Sequence, residues 1–287
     1  MVLEIIQLTV YGIVLGSIIS LGAIGLSLLY GILRFAHFAH GDVMTVGAYL
    51  ALAGVTGLGL PIWAASALAV GGGVGLAVLI DQTLYRRLRR TAPVILLIAS
   101  VGIALILRSL VQFVWGPDTQ VYTQELQMPV RLLGIRLKPT QLQIVAGAVI
   151  LVVILHLFLT RTRTGKAMRA MADNPELARI VGIDTELVVV WTWVIGAALA
   201  VAAGIFLGMD TRLQPTMGWH ILLPVFAAAI LGGIGKPYGA IVGGMVVGIA
   251  SELSTMVFPP VYKPAVAFAL MVVMLLVRPT GLFGAPR

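Results

Sequence analysis

Long apolar runs recur from Ile5 to Val277, and no other feature constrains the fold of this chain as strongly. A helix needs about 20 apolar residues to cross the hydrocarbon core of a bilayer. Ile5–Leu29, Pro61–Ile80, Pro93–Val114, Gln141–Leu159, Val188–Met209, Tyr238–Val257 and Pro264–Val277 read as spans. Two further apolar segments, Val43–Val55 and Ile221–Ile234, are shorter or interrupted by glycine, and each adjoins a motif of polar or glycine residues. Discontinuous or re-entrant helices fit such segments, provided protein or a water-filled cavity covers the loose backbone. Hydrophobic residues make up 60% of the chain and charged ones 10%, whereas a soluble domain carries roughly a quarter charged residues. No polar half stands apart to form a soluble domain. The expectation is one all-α polytopic membrane domain over residues 1–287, with eight or nine membrane-embedded helical segments, some short or broken.

Of the 19 Lys and Arg residues, all but Arg108 lie between the apolar segments, where topology-setting charges belong, so the net charge of +8 does not point to nucleic acid. With the N-terminus outside and every segment crossing, the inside loops hold Arg34, Arg86, Arg87, Arg89, Arg90, Arg161, Arg163, Lys166, Arg169, Arg179, Lys236, Arg278 and Arg287. The outside loops hold Arg131, Arg136, Lys138, Arg212 and Lys263, a bias of 13 against 5. The positive-inside rule therefore selects N-out and C-in, with an odd number of crossings. The start, Met1-Val2-Leu3-Glu4, lacks the basic region of a cleavable signal, so the first helix is expected to be retained. The absence of cysteine excludes disulfides, thiolate metal sites and cysteine nucleophiles. Gly196, Ala200, Gly204 and Gly208 repeat at every fourth position, as do the pairs Gly12/Gly16, Gly239/Gly243 and Gly244/Gly248. Small residues at this spacing predict close helix contacts within one bundle.

Chemistry concentrates in Tyr30-Gly-Ile-Leu-Arg-Phe-Ala-His-Phe-Ala-His-Gly-Asp42, a polar interruption that runs into Val43-Met-Thr-Val-Gly-Ala-Tyr-Leu50. Ionisable side chains in lipid cost at least ~2.5 kcal/mol each, so Arg34, His37, His40 and Asp42 must sit at the interface, pair, or line a cavity. His37, His40 and Asp42 imitate a metal site, but no further histidine or carboxylate cluster completes a shell. Gly41 and Gly47 suit a helix break with close backbone approach, and Asp42 is placed to cap the following helix. This stretch closely resembles the signature of the permease subunits of branched-chain amino acid ABC transporters, which commonly carry Asn where His37 stands.

Two further stretches resemble the same family, and the resemblance runs over nearly the whole chain. Thr164-Gly-Lys-Ala-Met-Arg-Ala170, with Met171-Ala-Asp-Asn-Pro-Glu-Leu-Ala178 and Arg179-Ile-Val-Gly-Ile183, is similar to the cytoplasmic coupling segment, here residues 161–184. Gly165, Ala170, Ala178, Gly182 and Ile183 stand at matching spacing, and Lys166 and Arg169 lie among them. Asn174 is placed to cap a short helix with Pro175 at its first position, and the small residues at 170, 172 and 178 leave a shallow surface for another protein to grip. Leu231-Gly-Gly-Ile-Gly-Lys-Pro-Tyr-Gly-Ala-Ile-Val-Gly-Gly244 resembles the glycine-rich signature of the second half. Lys236 is followed by Pro237, so this stretch is not a phosphate-binding loop. Its break at Gly232, Gly233 and Gly235 is placed like Gly41–Gly47 and suggests an internal repeat.

The resemblance implies a non-catalytic permease subunit of an importer in a bacterial plasma membrane, with no cofactor of its own. Its partners would be a second, similar permease, two cytoplasmic ATP-binding subunits and an extracytoplasmic substrate-binding protein. The cargo would be branched-chain or other hydrophobic amino acids; urea and short amides are carried by related permeases. Arg34, Phe35, His37, His40, Gly41, Asp42, Gly47 and Tyr49, with the three glycines of the second break, would belong to the translocation pathway. An ion-coupled secondary transporter would instead need buried carboxylates at mid-membrane, and only Glu252 is a weak candidate. No Ser-His-Asp set or carboxylate pair suggests an enzyme.

Arg108 falls inside a span toward its outer end and is expected to snorkel to the headgroups. Glu252, His156 and His220 are expected at interfaces, and Trp63, Trp115, Trp191, Trp193 and Trp219 in aromatic belts. The cysteine-free chain makes its orientation directly testable. A single cysteine replacing Lys166 should react with a membrane-impermeant maleimide only in opened cells, and one replacing Arg212 should react in intact cells; the reverse pattern excludes N-out, C-in.

Overall fold

The computed structural model describes residues 2–89, 91–123, 129–132 and 134–284; Arg90 and Arg287 of the basic runs lie outside the described residues. Twelve α-helices follow one another among the described residues. α1 (Val2–Leu33) is long and largely buried, and α2 (His40–Leu58) follows a short non-helical link. α3 (Ile62–Ile80) passes through a π-helical turn, Asp81–Tyr85, into the short α4 (Arg86–Leu88). α5 (Pro93–Trp115) leads to a small hairpin, β1 (Val130–Leu132) against β2 (Ile135–Leu137). α6 (Pro139–Arg161), α7 (Arg163–Asp173) and α8 (Pro175–Ile180) come next. α9 (Thr185–Asp210), α10 (Met217–Gly232), α11 (Pro237–Leu253) and α12 (Lys263–Val277) complete the chain. Eight helices among the described residues are long and apolar enough to cross a membrane, and α10 is a shorter apolar one. The chain is a polytopic all-α membrane protein.

α1 and α9 form the centre, and the small residues of the sequence repeats are where neighbours reach them. Gly12 and Gly16 of α1 lie against Ile249 and Met245 of α11, and Gly25 lies against the Gly196 carbonyl of α9. Lipid is as apolar as a leucine, so such backbone-close packing, rather than apolar burial, holds the helices together. The outer helices keep apolar faces exposed, as at Ile98, Leu105 and Phe113 on α5 and Val149, Val153 and Ile154 on α6.

Both short segments begin inside the bundle. The first turn of α2 packs on the middle third of α1: His40 Nε2 lies 2.9 Å from the Gly22 carbonyl, and a Cβ on Gly25 would meet the His40 ring. Gly22 precedes the end of α1 by eleven residues, roughly 16 Å at the helical rise. Residues 34–39 therefore climb back into the bundle, and their backbone is satisfied by protein: the Phe38 N–H donates to Ser100 Oγ of α5 at 3.1 Å. The second link, residues 211–216, does the same from the opposite end. Leu213 exchanges backbone hydrogen bonds of 2.9 Å with Gln120, and the buried Tyr122 hydroxyl donates to the Ala48 carbonyl at 2.9 Å. α10 is 16 residues long, about 24 Å, too short for a hydrocarbon core of about 30 Å.

The starts of α2 and α10 meet end to end. Gly41 in the first turn of α2 touches Gly218 in the first turn of α10; a Cβ on either would overlap the other's carbonyl. Thr45 Oγ1 spans the contact, accepting from the Gly218 N–H at 3.0 Å and donating to the Gly41 carbonyl at 3.3 Å. This corrects the expected pairing of breaks. The counterpart of the α2 start is the α10 start at Gly218, whereas Gly233 and Gly235 form the left-handed turn (φ 104° and 82°) between α10 and α11. The chain order explains it: a long central helix, a re-entrant link, a short helix and a hairpin return occur in α1–α3 and again, inverted, in α9–α11.

A side chain at the crossing must push two backbones apart, and overpacking costs about 1–3 kcal/mol in well-packed cores. Gly218→Val and Gly41→Val are each expected to lower the unfolding midpoint in detergent by several degrees. Gly102→Ala, where a Cβ meets open space on α5, should leave it unchanged or raise it. Equal midpoints for Gly218→Val and the native chain would show that the crossing is not tightly packed.

Candidate functional site

Asp42 occupies the first turn of α2 with its side chain fully buried, and it does not cap the helix, which begins after Ala39 without a side-chain cap. It faces Arg108 of α5 instead. The guanidinium is held in a two-point pair, Nε to Oδ1 at 3.0 Å and Nη2 to Oδ2 at 3.1 Å. The Arg108 side chain is 17% exposed, and its Cζ lies 4.8 Å from the centre of the Trp219 ring on α10. The expected snorkelling is thus overturned. Arg108 turns inward because a buried carboxylate one helix away offers a planar, two-pronged partner that headgroups at the membrane surface would not hold as firmly. Trp219 sits in the first turn of α10, level with Asp42 through the Gly41–Gly218 contact.

Apart from the exposed Arg34, the other members of the first motif are packed structurally. His37 and His40 have ring centres 6.0 Å apart and diverge, His40 into the notch at Gly22 and Gly25, His37 edge-on to Trp193 at 5.0 Å. Trp193 stacks on Tyr85 at 5.2 Å and is buried in α9, which corrects its placement in a belt; the π-helical turn brings Tyr85 to it. Phe35 packs on Tyr85, Gly47 on Val201 of α9, and Tyr49 on Trp115. Burial raises the pKa of the Tyr122 phenol above its ordinary value, so the group stays a neutral donor to the Ala48 carbonyl. Glu252 pairs with Lys263 at 2.6 Å near the end of α11, and His156 lies 2.9 Å from the Tyr238 hydroxyl.

Sequence reasoning missed a second buried charge. Asp81, in the π-helical turn, is 1% exposed and pairs with Arg89 at 2.5 Å, while Arg89 also reaches Glu186 of α9 at 3.0 Å. The only signal was an aspartate at the end of an apolar run.

The segment 161–184 forms a compact stub at the end of the bundle where α1 and α10 finish. Thr162 caps α7 by accepting from the Gly165 N–H at 2.9 Å. Gly165 is held so close to Leu159 that a Cβ would strike the α6 backbone. Asn174 Oδ1 accepts from the N–H groups of Glu176 and Leu177 at 3.1 and 3.0 Å, with Pro175 at the first position of α8, as the sequence indicates. Gly182 has φ 84°, in the region open to glycine, where the chain turns into α9. One expectation fails: Ala178 is buried against the stub itself, so it offers no grip to a partner. The exposed apolar residues of the stub are Leu177, Ile180 and Val181, at 55%, 81% and 66% exposure, beside the exposed Lys166, Arg169, Ala170, Glu176 and Arg179. Leu177, Ile180 and Val181 follow helical spacing from the cap at Asn174, which is the signal that would have found them.

Comparison with known proteins gives this geometry its context. The family described as branched-chain amino acid transport system / permease component matches residues 8–275. The high-affinity branched-chain amino acid transport system permease protein BraD of Pseudomonas aeruginosa is 33% identical, covering 98% of this chain and 96% of its own length. The permease protein LivH of Escherichia coli K12, of the same description, is 34% identical over 96% of this chain and 94% of its own. Among solved structures, PsaBC from Streptococcus pneumoniae in complex with Fab superposes with a TM-score of 0.54 at 12% identity, covering 95% of this chain, a likeness of fold alone. With the family matched over nearly its whole length, this chain belongs to the branched-chain amino acid transport system permease components.

Proposed function

We propose that this chain is the transmembrane permease of an ATP-binding cassette importer in a bacterial plasma membrane, moving branched-chain or other hydrophobic amino acids inward. ATP hydrolysis belongs to two cytoplasmic partner subunits, delivery to an extracytoplasmic binding protein, and a second homologous permease completes the pathway. The observation that carries this reading is the pairing of two features in one bundle. Two helices begin end to end inside it, the arrangement in which broken helices form transport sites. A capped stub carrying the exposed apolar residues Leu177, Ile180 and Val181 stands at its end.

The stub suits a motor input. Its two helices are capped by side chains, so it moves as one piece, and the tight turn at Thr162–Gly165 passes that motion directly into α6. Purified chain should hydrolyse no ATP, and co-expression with the cognate ATP-binding subunit should give a stable complex. Leu177→Asp with Ile180→Asp is expected to abolish copurification while leaving the unfolding midpoint within a degree or two. Ala178→Asp should instead lower the midpoint, because it buries a charge (several kcal/mol when unpaired). Copurification that survives the double variant would exclude this face as the docking surface.

For the cargo, Arg108 is the carboxylate-recognising residue. Two of the five guanidinium N–H donors are taken by Asp42, which leaves the remaining edge for a second carboxylate. The exposed Trp219 and Leu223 on α10 offer apolar surface beside it for a hydrocarbon side chain. A charge-assisted hydrogen bond contributes about 1.5–3 kcal/mol, so Arg108→Gln should reduce uptake by roughly ten- to a hundredfold in an assembled complex. Leaving Asp42 unpaired also costs about 3–5 kcal/mol of stability. The double variant Asp42→Asn, Arg108→Gln removes that complication and should fold yet remain slow in uptake. Native uptake by the folded double variant would remove Arg108 from the pathway.

A further inference from the structure

We propose that a phosphate-bearing headgroup of an anionic phospholipid binds in the cavity formed where α1, α7 and the Gly233–Tyr238 segment meet. The cavity has a volume of about 520 Å³ and receives three cations from three separate parts of the chain, Arg34, Arg169 and Lys236, against one carboxylate, Asp173. None of these cations takes part in an ion pair among the described residues; Asp42, Asp81, Glu186 and Glu252 are engaged by Arg108, Arg89, Arg86 and Lys263. Three converging cations against a single carboxylate leave a net positive charge that calls for an anion from outside.

The backbone holds the first of these cations deliberately. Arg34 is the residue outside glycine with positive φ among the described residues (55°), closing α1 in the left-handed region with its N–H donating to the Tyr30 carbonyl at 2.9 Å. That conformation is disfavoured for an L-residue, and it sets Arg34 at the cavity instead of along the helix axis.

The walls decide what kind of anion. Leu28, Leu159, Met168 and Ile234 make them apolar, and Ile234 and Tyr238 are exposed at the mouth. Tyr238 is bonded across to His156, which joins the mouth to the lipid-facing sides of α6 and α11, where Ile154, Leu157 and Val242 are exposed. A soluble phosphate needs no such apolar approach. A phospholipid does: its head enters among the cations while its chains lie along α6 and α11. Basic pockets between transmembrane helices are the recurrent receptors for such headgroups. The bound lipid would bridge the residue that opens the first re-entrant link, the stub helix α7 and the glycine-rich turn.

The test uses the full chain in mild detergent, with native mass spectrometry counting phosphatidylglycerol retained in the presence of excess phosphatidylcholine. The native chain is expected to keep one phosphatidylglycerol. Arg34→Gln, Arg169→Gln and Lys236→Gln together should reduce retention at least tenfold; all three side chains are exposed, so the fold should survive. If the triple variant aggregates, Lys236→Gln alone should still show partial loss. Arg161→Gln, an exposed cation outside the cavity, should keep full retention. Equal retention by the native chain and the cavity variants, or equal loss in the Arg161 variant, overturns the site. Displacement by millimolar inorganic phosphate would make it a site for a soluble anion instead. Release of the lipid on binding of the ATP-binding subunit would reassign the three cations to that interface.

Discussion

The contact between Gly41 and Gly218 sets the terms for the rest of the molecule. Two helix starts can meet inside an apolar bundle only if their free N–H groups find acceptors and their backbones come close enough for those acceptors to be each other's neighbours. Glycine on both sides supplies the proximity, and the Thr45 hydroxyl supplies a partner that both accepts and donates. Everything that leads to this point, the climb of residues 34–39 and the entry of residues 211–216 from the other end, is covered by protein for the same reason. Ser100 and the Gln120–Tyr122 segment are the cover.

Charge placement follows from the same meeting point. A carboxylate in the first turn of α2 is favoured by the positive end of that helix, but its burial demands a cation, and α5 delivers Arg108. The pair then fixes α5 against α2, and the Trp219 ring ties both to α10. Three separate helices are thereby coupled through one guanidinium. A displacement of any of them has to break or carry that group.

The proposed motor input is the stub. Each of its helices begins at a side-chain cap, and Gly165 joins it to α6 at a point too close to Leu159 to take a side chain. Arg89, with Asp81 on one side and Glu186 on the other, clamps the end of α3 to the start of α9 beside it. Under the proposed function, a push on the exposed Leu177–Val181 face would reach the central helices through the turn at Gly165 and the Asp81–Arg89–Glu186 ion pairs.

The membrane class, the helical segments, the stub with its Asn174–Pro175 cap and the family were all legible in the sequence, because each rests on local rules. Apolar length, capping chemistry and ordered motifs act within a few residues and need no knowledge of neighbours. What the chain order alone could not decide is which distant residues become neighbours. Arg108 read as a snorkelling cation because its partner lies 66 positions away. Trp193 read as a belt residue because the π-helical turn that sets Tyr85 against it is a tertiary feature. The inverted pairing of α2 with α10 was assigned to the wrong glycines, and the burial of Ala178 went unseen. In a bilayer, where apolar burial does not choose between helix faces, the choice falls to backbone contacts and buried charge pairs, and those exist only once the bundle has closed.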